Sequence, residues 1–252
     1  MKPPPTPSPL LCSLVPGAAG APLFLVPSVG TTPLALVRLA RAVVPRRPVY
    51  AFAYAGMEDD GPPHATLAEM ACAYADDVVA RSPRGPYFIG GHCLGGTVAL
   101  AIALELEARG AAVARVCVLD SVAPLVENDP VLYADGRQET FVEVFHQMRR
   151  IFEELVARTL ASSPLLDAGQ QARLGELLRL HLEAALGFRA RPLAGALHVL
   201  RTIACHDVVL ENWSKVARGG VTRHALPGDT FSMLKPPHVD AAGRALARAL
   251  DA

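Results

Sequence analysis

Along the first half of the chain, short unbroken apolar runs alternate with stretches in which apolar residues recur every three or four positions. Residues 22–26 read PLFLV and break at Pro27, Ser28 and Gly30; Thr32 and Pro33 then open LALVRLARAVV, with Thr32 placed to cap a helix and Pro33 at its first position. Residues 48–55 (PVYAFAYA) predict a second strand, 66–82 (TLAEMACAYADDVVARS) a helix, 86–91 (PYFIGG) a third strand, 96–110 (GTVALAIALELEARG) a third helix and 111–121 (AAVARVCVLDS) a fourth strand. A nearly continuous apolar run suits a strand covered by helices on both faces, which is the situation in a parallel sheet. The pattern therefore predicts an α/β fold: a doubly wound, mostly parallel sheet flanked by helices.

The rhythm changes between about 127 and 194. ETFVEVFHQMRRIFEELVARTL and AGQQARLGELLRLHLEAALGF are two amphipathic helices in succession with no strand between them. An ordinary crossover is too short to hold both, so this span predicts a helical lid inserted into the fold, its apolar stripe (Phe141, Phe145, Met148, Phe152) packing over the site. Strands return at 196–204 and 220–226, with helices at 207–217 and after His238. The opening MKPPPTPSPLLCSLVPGAAGAP is proline-laden; residues 1–20 read as an extended linker, residues 21–252 as one domain, and the whole as a segment of a longer multidomain chain.

Composition narrows the classes. Basic and acidic residues balance at 24 each, which argues against nucleic acid as a partner, and no apolar run approaches the roughly 18 residues of a membrane span. The five cysteines are scattered without a C-x-x-C pair, so neither a disulfide frame nor a zinc site is indicated, and a reducing, cytoplasmic setting is expected. No metal is called for.

The chemistry gathers at Gly91-His92-Cys93-Leu94-Gly95, a G-x-S-x-G elbow with cysteine in place of serine, preceded by the required strand and followed by the required helix. Glycines on both sides allow the tight turn that lifts the nucleophile above the sheet. A helix N-terminus there favours a thiolate. The backbone N–H of Leu94 supplies one half of an oxyanion hole, and Val29, in the loop after 22–26, is the candidate for the other. The side chain of His92 should point away from the nucleophile and pack.

These residues resemble the type I thioesterase domains of nonribosomal peptide and polyketide synthetases. LFLVPSVGTTPLALVRLARAV is similar to the family's first strand and oxyanion loop, GGHCLGG to its elbow, VCVLDSVAP to its acid-bearing strand end and LPGDTFSMLKPPHV to its C-terminal signature. The resemblance implies an α/β-hydrolase fold and makes Asp120 the acid that orients a catalytic imidazole. It does not supply the base: where the family has G-D-H, this chain reads Gly228-Asp229-Thr230. Among the histidines, His64, His146, His181, His198 and His224 fall where packed or solvated roles are the usual ones. His206, after the 196–204 strand, is the candidate for a relocated base, with His238 as the alternative; Asp120, or else Asp207 or Asp229, would orient it.

The implied activity is chain release. A peptidyl group arrives on the phosphopantetheine thioester of an upstream carrier protein, with no cofactor bound by the domain itself, and moves to Cys93. Transfer to a thiol yields another thioester, which keeps the carbonyl activated and favours amine attack over hydrolysis. Cysteine-bearing members of the family are associated with β-lactam and β-lactone closure, so ring formation, as in a monobactam synthetase, is one expectation; hydrolysis or macrocyclisation is the alternative. A stand-alone esterase and a catalytically dead binding module are the readings from other classes. The excised domain is expected to be monomeric.

Overall fold

A computed structural model describes residues 8–16, 20–43, 47–57, 61–124, 131–132, 137–161, 166–202 and 211–252. Its centre is a seven-stranded sheet. In chain order the strands are β1 (Leu11–Val15), β2 (Leu23–Val26), β3 (Val49–Phe52), β4 (Tyr87–His92), β5 (Val113–Leu119), β8 (Leu197–Thr202) and β9 (Val221–Leu226), with a separate pair β6 (Val131–Leu132) and β7 (Gln138–Glu139). The spatial order is β1-β3-β2-β4-β5-β8-β9, and every pairing is parallel except that of β1 with β3.

The α-helices among the described residues are α1 (Val37–Val43), α2 (Leu67–Arg81), α3 (Leu94–Ala108), α4 (Phe141–Ala161), α5 (Ala168–Gly187) and α6 (Val239–Asp251). Alternating strand residues show how the layers form. Leu23 and Leu25 of β2 pack with α1 and α6, while Phe24 and Val26 pack with α2 and α3. Both sets are buried, so the strand had to be apolar throughout. Helix α3 is buried on nearly every side, because it packs on the sheet, on α2 and on α5 at once.

The order places the site. The chain leaves β2 on one side for β3 and then crosses back to the other side for β4, so the loops after β2 and β4 diverge at a topological switch point, where α/β sheets form their clefts. Val26 is in register with Gly91, and His92 with Leu119. The residues just beyond these strand ends, Pro27–Gly30, Cys93 and Asp120, therefore meet at one sheet edge.

Three expectations need correction. Leu11–Val15, expected within a linker spanning 1–20, is an edge strand that pairs antiparallel with β3; LCSLV is too short to stand out among prolines, yet the exposed edge of β3 offers it a partner. Ser8 also ties down this segment, its N–H and hydroxyl donating to Asp77. Thr32 does stand at the N-cap with Pro33 at the first helical position, but it makes no side-chain cap, and the turn begins as a 3-10 helix, Pro33–Leu36. Of the helix expected at 207–217, residues 211–217 are described, and only Glu211–Lys215 among them is helical, as a 3-10 turn. Between β5 and β8 the chain runs through α4 and α5, which pack on each other, with Val144 and Val156 buried; the side chains of Phe141, Phe145, Met148 and Phe152 lie outside the described residues. Among the described residues no helix is long and apolar enough to cross a membrane.

Candidate active site

Cys93 sits between the last residue of β4 and the first of α3 with φ 53° and ψ −127°, a left-handed conformation that costs a non-glycine residue about 1–3 kcal/mol. The surroundings force it. Its N–H donates to Leu119 O at 2.8 Å, which locks the turn onto β5. A Cβ on Gly91 would run into the backbone of Gly95, and one on Gly96 would meet Ser121. The glycines are thus required by close approach rather than by their own φ angles.

Ser28 and Leu94 reach the sulfur: the Ser28 hydroxyl and the Leu94 N–H both donate to it and favour the thiolate. Burial works the other way and is the larger effect, and Asp120 adds to it, so the Cys93 thiol is pushed above its ordinary range. The expectation that the helix N-terminus would yield a resting thiolate is therefore corrected: desolvation in a largely apolar cavity outweighs the donors.

The loop expected to complete an oxyanion hole is held from two sides. Tyr54 Oη donates to Pro27 O at 2.8 Å, and Thr31 donates to Ser28 O through both its N–H and its hydroxyl. Val29 is 3% exposed and lines the same cavity as Cys93; its N–H, like that of Leu94, has no backbone partner among the described residues.

Asp120 follows β5 with φ 47° and is 5% exposed. One carboxylate oxygen accepts from the N–H and hydroxyl of Thr202, at 3.0 and 2.9 Å, and the other accepts from the Thr230 hydroxyl. Thr230, which stands where the resemblance led to the expectation of a histidine, thus donates to the second oxygen of Asp120. His92 fastens the same loop. Its Nε2 lies 3.0 Å from Thr230 O, and since a carbonyl only accepts, that nitrogen carries the proton. Burial lowers the His92 pKa to about 4, so the ring is neutral near pH 7. It lines the cavity beside Cys93, where a side chain pointing away was expected.

The cavity measures about 550 Å³ and is lined by Ser28, Val29, Thr31, Ala35, His92, Cys93, Arg158, Thr230, Phe231, Leu234 and Lys235. His238 is not among them; it stands at the start of α6 against Gly228, where a Cβ would fall 2.8 Å from its ring. His206, with Asp207, falls in 203–210, outside the described residues. Asp229 accepts from the N–H groups of Phe231 and Ser232 and so closes its own turn. Sequence reasoning missed Ser28, Thr202, Tyr54 and Arg158. Only Ser28 carried a signal, as a hydroxyl in the oxyanion loop.

Among the described residues no three His, Cys, Asp or Glu side chains converge as a metal would require. Chemically, the arrangement offers a thiol on a strained elbow, the Leu94 N–H directed at it and a buried carboxylate, Asp120, near it.

The protein-family profile described as "Thioesterase domain" matches residues 21–249. Similar proteins include the indigoidine synthase of Dickeya dadantii, 26% identical over 91% of this chain and 17% of that protein. The nonribosomal peptide synthetase apvA of Aspergillus terreus is 27% identical over 91% of this chain and 28% of that protein. The chain thus spans under a third of the length of these relatives. Among solved structures, the Vlm2 thioesterase domain carrying 2,3-diaminopropionic acid and bound with a dodecadepsipeptide aligns with TM-score 0.72, at 25% identity over 95% of this chain and 96% of that one. The NocB thioesterase domain in covalent complex with a fluorophosphonate nocardicin G analogue aligns with TM-score 0.71, at 23% identity over 92% and 96%.

Proposed function

The chain belongs to the thioesterase-domain family, and from that premise we propose that it releases the finished chain of a nonribosomal peptide synthetase by way of an acyl-thioester on Cys93. The observation that carries this reading is the elbow itself, with its glycine-forced turn and with the Ser28 hydroxyl and Leu94 N–H aimed at the sulfur. A carrier protein upstream delivers the peptidyl group on phosphopantetheine. The Cys93 sulfur attacks the thioester carbonyl, the oxyanion gathers the N–H groups of Leu94 and Val29, and the pantetheine sulfur leaves with the proton taken from Cys93. One thioester is exchanged for another, so the step is close to thermoneutral.

His206 is the base of this reading. Thr202, whose N–H and hydroxyl hold Asp120, lies four residues before it in the sequence. His238 is less well supported, because it packs on Gly228 and does not line the cavity. In the second step an amine within the peptidyl group attacks the acyl-cysteine, forming an amide and closing a ring, a β-lactam in the form that most needs a carbonyl kept activated. The thiol in place of a hydroxyl supports this over hydrolysis, and the helical insertion contributes Arg158 to the cavity lining.

The test is acylation by a peptidyl thioester followed by intact-protein mass. Wild type should gain one acyl group and Cys93→Ala none; a persisting adduct in Cys93→Ala overturns the assignment. Comparing a free ester with a carrier-bound thioester separates chain release from a stand-alone esterase.

A further inference from the structure

The cavity around Cys93 has a charge character that thioester exchange does not use. Its lining contains two full cations, Arg158 and Lys235, and among the described residues no carboxylate. Arg158 comes from α4 and Lys235 from the turn that leads into α6, so the two arrive from separate parts of the fold. Neither side chain enters an ion pair or hydrogen bond with another described residue; the Arg158 guanidinium lies 5.9 Å from the ring centroid of Phe231, which is itself 53% exposed at the cavity's edge.

Arg149, on the same helix, pairs with Glu153 and Glu183, Arg109 pairs with Asp76 and Glu105, and Arg191 with Glu107. In a chain whose charges balance overall, cations without carboxylate neighbours at the one cavity holding the reactive thiol are placed for something that comes from outside. The chemistry that fits is an anion: the guanidinium fork takes two oxygens of a carboxylate, sulfo or phosphoryl group, and the ammonium adds a point charge.

We propose that Arg158 and Lys235 form an anion subsite that selects thioesters bearing a negatively charged group and holds the reacting carbonyl over Cys93. The inference rests on Cys93 being the acylated residue. Two sources share the chemistry: an anionic group on the acyl chain itself, or the phosphodiester of the carrier's prosthetic arm.

The experiment measures Cys93 acylation rates by intact mass with two matched pairs of thioesters. One pair is an N-acetylcysteamine thioester whose acyl group ends in a carboxylate, against its carboxamide isostere. The other is a neutral acyl group on 4′-phosphopantetheine against the same acyl group on pantetheine. The anionic member of one pair should react on the order of 10- to 100-fold faster in wild type, and which pair does so identifies the source. In the Arg158→Gln/Lys235→Gln variant that ratio should fall to about threefold or less, with Arg158→Lys intermediate. Equal rates within both wild-type pairs, or a ratio that survives the double variant, overturns the subsite. If no thioester acylates Cys93, the reading of Cys93 fails first and takes the subsite with it, an outcome distinct from acylation without discrimination.

Discussion

Replacing Thr230 by valine keeps the shape of the side chain and removes one donor from a buried carboxylate. Asp120 is 5% exposed and has three described donors: the Thr202 N–H, the Thr202 hydroxyl and the Thr230 hydroxyl, the last being the sole one on its oxygen. A hydrogen bond to a charged group contributes about 1.5–3 kcal/mol, and leaving a buried acceptor unpaired incurs that loss rather than the smaller net value of a neutral bond. Thr230→Val should therefore lower stability by about 1.5–3 kcal/mol. At about 2–4 °C per kcal/mol for a chain of this size, the thermal midpoint should drop by about 3–12 °C. Thr230→Ser, which retains the hydroxyl, should stay within about 0.5 kcal/mol of wild type. Urea or thermal unfolding at neutral pH measures all three. The decisive control is the double-mutant cycle: in an Asp120→Ala background the valine substitution should cost less than about 0.5 kcal/mol, because its partner is gone. An unchanged midpoint in Thr230→Val, or an equal loss with and without Asp120, would refute the argument that the hydroxyl has taken over the place of an imidazole.

Three further outcomes follow from the same geometry. His181 is 1% exposed, lies against Tyr54 and has no hydrogen-bond partner at either ring nitrogen among the described residues, and burial lowers its pKa to about 4; the unfolded state thus binds its proton first, and stability should be lost as pH falls from about 6.5 toward 4, with His92 contributing in the same sense. His181→Leu should be at least as stable as wild type at pH 7 and lose less across that window; a drop of more than about 1 kcal/mol at pH 7 would mean that the ring does have a partner. A Cβ on Gly95 would sit 2.9 Å from Val26 C and closer still to the carbonyl oxygens of Val26 and Pro27, so Gly95→Ala should displace the Ser28–Val29 loop, cost about 1–3 kcal/mol and slow acylation roughly 10²- to 10³-fold, and wild-type acylation in that variant would remove the loop from the oxyanion hole. Because burial pushes the Cys93 thiol up, its alkylation rate should still be rising where an ordinary thiol levels off; a plateau near neutrality would instead reveal a resting thiolate–imidazolium pair.

The sheet was legible because a covered parallel strand must be apolar on both faces. PLFLV, PVYAF, PYFIGG and ARVCVL announce themselves by that requirement alone, and each became β2, β3, β4 or β5 within a few residues of its expected limits. The elbow was legible for a related reason: two glycines at fixed spacing, with a strand before and a helix after, leave little else for Cys93 to be. Edge strand β1 was not, since its pairing with β3 depends on where the chain's own beginning folds back, and nothing in LCSLV states that.

What the sequence determined by itself was therefore the α/β class and the elbow, both consequences of local pattern and spacing, while the resemblance marked Thr230 as standing where a histidine was expected. What the tertiary structure decided was how the vacated position is used. Thr230 meets Asp120 across 110 residues, Thr202 meets it across 82, and His92 meets the Thr230 carbonyl across 138. Such contacts are set by strand order and register, which bring distant segments to one sheet edge. The state of Cys93 was likewise decided in three dimensions: helix position alone argues for a thiolate, and only the burial created by the surrounding cavity reverses the sign.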